Sequence, residues 1–170
     1  LARFEIRAEG LTDPLTIFRI CDQRFSPLSG EGAWAFGGRW NSIGVALVYA
    51  CLDYSSALLE KLAHLGGAAM PPAQHSFELV VPAGVVLQHA NLPTESDWFA
   101  DYDLTRSIGD GFAREGRPLG LVVPGYVARP HQRNILLNPS HPDFGRIQVV
   151  RSEPVAWDRR LFGDPGDSKF

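Results

Sequence analysis

Apolar residues in this chain fall into short runs separated by glycine, proline and polar clusters. The runs at 16–21, 45–50, 76–81 and 119–123 combine β-branched, leucine and aromatic residues, which predicts strands. Those at 45–50 and 119–123 read as buried. Shorter strands are expected at 85–87, 134–137 and 146–150, and Pro82 closes the run before it. Helical spacing is clearest over 54–65, where Leu58, Leu62 and Leu65 form a stripe taken as the core face. Asp53 is suited to cap that helix and Gly66 to stop it. A second helix is expected over 104–115, weakened by Gly109 and Gly111 and ended by Gly116.

Between these elements, 22–38 is rich in Gly, Ser and Pro and reads as a long loop, a length that is usually functional or mobile. Residues 1–14 read as an arm or first short element, 66–73 as a linker, 91–101 and 124–132 as loops, and the polar segment after Phe162 as a loose tail. Strands outnumber helices and do not alternate regularly with them, which favours an α+β arrangement. No repeat or second domain is visible, so 1–170 is expected to form one domain.

Composition adds exclusions. At 170 residues, 45% hydrophobic and 21% charged, the chain can bury a sizeable core. A formal net charge of −3 argues against broad nucleic-acid binding, yet leaves room for a small anion held by a few arginines. Lysine occurs only at 61 and 169; the arginine bias matches phosphate recognition and also simple genome composition. Two cysteines, Cys21 and Cys51, make no disulfide framework and are expected to be reduced and buried in a cytoplasmic protein. No apolar run approaches the roughly 18 residues of a membrane span, and no charged-then-apolar leader opens the chain.

The candidate chemistry concentrates in 36–65. Gly37 and Gly38 precede Arg39, Trp40 and Asn41; the glycines permit close backbone approach, and Arg39 can grip a phosphate or stack, solvated, on Trp40. Tyr49 ends the predicted strand, as a core ring with a satisfied hydroxyl or as a platform for a flat heterocycle. Glu60 lies opposite the leucine stripe, with small neighbours at Ser56, Ala63 and Gly67. It is either a solvated helix residue or a carboxylate that a ligand can approach. Arg19, amid an apolar strand, needs an anionic partner, from the protein or from a bound phosphate. Asn134 and Asn138 can bind a ribose or close turns. His131 and His141 lack metal-ligand spacing, neither cysteine has a neighbouring His, and no zinc site is expected. Walker, Rossmann and Gly-x-Ser-x-Gly signatures are absent.

Phe18-Arg19, Ser29 to Ala33, Gly37 to Asn41, Val48 to Ala50 and Ala57 to Glu60 resemble, in order and spacing, the blocks of the RES-domain family. Ile108 to Asp110, Val123-Pro124, Asn134 and Leu137 to Pro142 continue the resemblance, which covers roughly 16–150. It implies an ADP-ribosyltransferase-like fold: a split β-sandwich with flanking helices around an NAD⁺-binding cleft. It implies a toxin of a bacterial toxin–antitoxin pair that consumes NAD⁺, passing ADP-ribose to a target protein, water or phosphate. It further implies a cognate antitoxin that blocks the active site, and no metal, direct nucleic-acid or membrane partner. On that resemblance Glu60, Arg39 and Tyr49 are the catalytic residues. Arg19, Arg39, Trp40, Asn41, Tyr49 and Asn134 hold the dinucleotide.

The chain departs from the pattern at Gly125, where the family's serine is expected after Val123-Pro124. The alternative reading is a non-catalytic nucleotide- or partner-binding module on the same fold, its activity weakened with that hydroxyl.

Overall fold

The computed structural model describes residues 8–65, 74–93 and 97–162. Among these residues eight strands lie in the order β1-β5-β6-β7-β3-β2-β4-β8. They are β1 (Ala8–Gly10), β2 (Leu15–Asp22), β3 (Val48–Cys51), β4 (Gln74–Val81), β5 (Val86–His89), β6 (Gly120–Pro124), β7 (Arg133–Leu137) and β8 (Gln148–Pro154). Helices α1 (Glu31–Phe36), α2 (Tyr54–Leu65) and α3 (Tyr102–Glu115) complete the mixed α+β fold.

The sheet has two halves. In one, β2 pairs with β4 along its whole length, from Leu15 opposite Val81 to Asp22 opposite Gln74, and β4 pairs with β8. In the other, β3, β7 and β6 are antiparallel, and β6 runs parallel to β5 through the crossover helix α3. The halves meet through one register pair, Phe18 opposite Cys51. This joint is the split in the sheet, and α2 packs over it against β2 and β3.

The continuous apolar runs of β6 and β7 have a simple cause. Their successive residues feed opposite faces, and both faces are covered. Val122, Ile135 and Leu137 join Ile17, Val48 and Leu79 in one buried cluster. Leu121, Val123 and Leu136 join Trp40, Leu47 and Phe112 of α3 in the other.

Three expectations are corrected. The segment 22–38 is not all loop, because it contains α1, a helix with no buried residue. A helix that buries nothing leaves no apolar periodicity to read. The strand expected at 45–50 is shorter, Val48–Cys51, and Leu47 packs in the core before the strand begins. On α2, Leu58, Leu62 and Leu65 are only half-buried, and the fully buried positions are Ser56 and Ala57. The small pair Ser56 and Ala57, not the leucine stripe, is what α2 buries, while Ala63 is exposed; a helix laid over a joint between strands packs closest where its side chains are smallest. Asp53 caps α2 as expected: its carboxylate accepts from the Ser56 amide at 2.8 Å and the Ser56 hydroxyl at 2.6 Å. Gly66, the linker 66–73 and the tail 163–170 lie outside the described residues, as does the first half of the 1–14 arm. Within its second half, β1 pairs with β5.

Candidate active site

Two adjoining hollows, each of about 420 Å³, open over the joint in the sheet. Gly32, Tyr49, Glu60, His64 and Asn134 border both and so form the partition between them. The first hollow extends toward β2 and is walled by Arg19, Cys21, Cys51 and Lys61. The second extends toward the turn after α1 and is walled by Phe36, Gly38, Arg39 and Tyr126. Arg39 and Glu60 therefore face one shared hollow, and Arg19 and Glu60 face the other.

Glu60 is held from outside its helix. Its Oε1 accepts from Asn134 Nδ2 at 2.9 Å, from the Tyr126 amide at 3.1 Å and, at the long end, from the Val127 amide at 3.4 Å. Oε2 has no hydrogen-bond partner among the described residues. One oxygen fixes the carboxylate while the other remains available to the hollows. Asn134 comes from β7 and the two amides from the loop after β6, so three separate segments set one carboxylate. Its amide oxygen, Oδ1, is buried without a partner.

Arg39 bridges rather than hangs free. Its Nη1 donates to the Phe99 carbonyl at 2.9 Å and its Nη2 to the Tyr102 hydroxyl at 3.1 Å. The guanidinium lies 3.6 Å from the Tyr126 ring centroid and 4.4 Å from that of Tyr102. Tyr126 thus touches both key groups, with its ring under Arg39 and its backbone N–H on Glu60.

The turn that carries Arg39 is pinned by α3. Arg106 Nε donates to the Gly38 carbonyl at 3.0 Å, Thr105 Oγ1 to the Arg39 carbonyl at 2.8 Å, and the Ser42 amide to Asp110 Oδ1 at 2.9 Å. A Cβ at Gly109 would lie 1.7 Å from the Trp40 carbonyl oxygen, so only glycine lets the helix approach this far. Gly37 takes φ +69°, which favours glycine. Gly38 is needed for another reason: a Cβ there would sit 2.6 Å from the Tyr49 hydroxyl.

Tyr49 is engaged through that hydroxyl, which donates to Asn41 Oδ1 at 2.6 Å and accepts from the Trp40 amide at 3.1 Å. Burial raises its pKa well above the usual phenol value. Its ring borders both hollows. Asn41 is fully buried; its Nδ2 donates to the carbonyls of Ala33, Ser42 and Val45, and it lines neither hollow. Trp40 borders the second hollow, but it is buried in the apolar cluster and packs on Trp98. These two residues hold the turn beneath the site.

Arg19 reaches the first hollow from β2. Its Nη2 donates weakly to the Ser29 carbonyl at 3.3 Å, and its Nη1 is buried with no partner. Burial lowers the guanidinium pKa, and the adjacent Cys21 thiol opposes that shift. Lys61, His64 and the ring of Tyr126 were not foreseen as wall residues. Lys61 and His64 follow Glu60 by one and four positions on α2, and the second spacing puts His64 on Glu60's face. Among the described residues no three His, Cys, Asp or Glu side chains could hold a metal ion, and no helix is long and apolar enough to cross a membrane.

Comparison with known proteins gives a consistent answer. The RES domain model matches residues 16–158. The chain is 35% identical to the "Prs ADP-ribosylating toxin" of Sphingobium sp. (strain YBL2), over 79% of this chain and 86% of that protein. It is 32% identical to "Toxin Res" of Photorhabdus laumondii, over 86% of this chain and 97% of that protein. A solved chain of the M. tuberculosis MbcT–MbcA toxin–antitoxin complex shares the fold at a TM-score of 0.70 and 19% identity, covering 91% of each chain. With a family model spanning nearly all of β2 to β8 and relatives matched over most of their length, the chain belongs to the RES domain family.

Proposed function

We propose that this chain is an NAD⁺-consuming toxin of a toxin–antitoxin pair, with Glu60 as its catalytic carboxylate. The observation that carries the reading is the position of Glu60 on the partition between two hollows, one oxygen anchored by three donors and the other free. A long, two-ended ligand laid across that partition can set the ribose next to its nicotinamide end against the carboxylate. The name of the Sphingobium relative, an ADP-ribosylating toxin, supplies the class of activity, and that of the Photorhabdus relative the toxin role.

In this reading the C1′–N1 bond of NAD⁺ breaks, its electron pair passes to the pyridinium nitrogen, and neutral nicotinamide leaves. No general acid is required, because the leaving group starts as a cation. The ribose develops oxocarbenium character, which a fixed carboxylate stabilises. A nucleophile then bonds to C1′ and loses its proton. Tyr49 packs against the ligand with its ring, since its hydroxyl is committed to Asn41 and Trp40. Arg39 gives the second hollow its positive charge and ties the 97–102 segment to the turn. Asn134 orients Glu60 through its Nδ2. The MbcT–MbcA neighbour, a toxin seen with its antitoxin, supports an antitoxin as partner of this chain also.

The test is purified protein incubated with NAD⁺, with free nicotinamide followed by chromatography. Release by the wild type and its loss in Glu60→Gln support the reading. A wild type that binds NAD⁺ and releases none would favour the non-catalytic module.

A further inference from the structure

Two cations, Arg19 and Lys61, wall the first hollow, and among the described residues no carboxylate hydrogen-bonds or ion-pairs with either. Arg19 Nη1 is buried and has no hydrogen-bond acceptor. Lys61 is half-buried on the same wall and makes no hydrogen bond or ion pair among the described residues. The nearby carboxylate that could neutralise it, Asp22, is already taken. It accepts from Arg24 Nε at 3.0 and 3.2 Å, from Arg24 Nη2 at 2.8 Å and from the Arg24 amide at 2.9 Å. A buried guanidinium N–H without a partner costs free energy, and a second cation beside it adds repulsion. Burial and Arg19 both lower the Lys61 pKa, opposed by Cys21 and Asp22. Such a pair persists most readily where an anion regularly sits between the two.

The other arginine offers a contrast. Arg39 already donates to a carbonyl and a hydroxyl and stacks between two rings, so its fork is partly consumed. We propose that Lys61, together with Arg19, is the anchor for the diphosphate of the dinucleotide, so that the ligand runs from the β2 wall across Glu60 with its phosphates away from Arg39. This deepens the NAD⁺ reading and gives a polarity to the ligand: diphosphate in the hollow of Arg19 and Lys61, nicotinamide in the hollow of Arg39 and Phe36. Lys61 fits the task because a flexible ammonium can follow a phosphate that the planar fork of Arg19 holds.

Calorimetric titration with inorganic pyrophosphate and with ADP tests this on the intact chain. The wild type is expected to bind both, Lys61→Met to bind each at least about tenfold more weakly, and Lys61→Arg to recover most of the loss. Arg114→Met removes a cation from the exposed end of α3 and controls for net charge; its affinities should match the wild type. No binding by the wild type, unchanged affinity in Lys61→Met, or an equal loss in Arg114→Met would each overturn the anchor. Nicotinamide release is scored separately. A wild type that binds ADP but releases nothing from NAD⁺ retires the catalytic reading and leaves the anchor standing. Release with an unchanged KM in Lys61→Met retires the anchor alone.

Discussion

Asn134 Nδ2 donates to Glu60 Oε1 at 2.9 Å across 74 residues of sequence. The bond ties the central sheet to the helix over its joint and sets which way the carboxylate faces. Glu60→Gln keeps the shape and an oxygen acceptor but removes the charge. Nicotinamide release should fall about 10²–10³-fold, with the melting temperature nearly unchanged. Undiminished release would remove Glu60 from the mechanism.

Asn134→Ala leaves Glu60 charged but less well held. Turnover should drop at least about tenfold through kcat, since a hydrogen bond to a charged group contributes roughly 1.5–3 kcal/mol. Single-turnover kinetics separate this from a binding defect. An effect confined to KM would mean that Asn134 contacts ligand without positioning the carboxylate.

The two glycines of α3 should respond oppositely to alanine. At Gly111 a Cβ meets open space, so Gly111→Ala should stabilise by about 0.5–1 kcal/mol. At Gly109 the Cβ collides with the Trp40 carbonyl, so Gly109→Ala should destabilise by about 2–3 kcal/mol and loosen the Arg39 turn. Urea titrations of both variants give the answer, and shifts of the same sign would contradict the packing.

Gly125 has space for a side chain. A Cβ there would approach the Gln132 backbone carbonyl oxygen at 3.3 Å, a tight contact that needs a shift of a few tenths of an ångström. Gly125→Ser should therefore fold, with a loss under about 1 kcal/mol. If the family hydroxyl aids turnover, nicotinamide release should rise by up to about tenfold. A rate at or below that of the wild type would show that this site works without it.

Cys51 provides a pH signature. Burial, with Glu60 and Asp53 nearby, pushes its thiol up to about 12 from an ordinary 9.0. A folded pKa above the unfolded one means that the unfolded chain releases the proton first as pH rises. The contribution is complete below pH 9.0 and is lost toward pH 12. Between those limits the wild type should lose stability more steeply with pH than Cys51→Ala. Parallel pH profiles of the urea midpoint would refute the burial argument.

Local pattern was enough to locate α2, most of the strands and the Asp53 cap, because apolar period, capping residues and turn breakers act within a few positions. The same locality explains why Arg39, Tyr49 and Glu60 could be singled out: they sit on three consecutive elements joined by short turns. Tertiary structure alone decided how they meet. Glu60 faces the sheet because small residues, not leucines, pack over the joint at Phe18 and Cys51. Trp40 and Asn41 went beneath the turn because α3 presses on it through Gly109. Tyr126 came under Arg39, and Lys61 beside Arg19, through contacts between distant segments. Such contacts follow from how strands pair and helices settle on them, and they leave no mark on the residues next door.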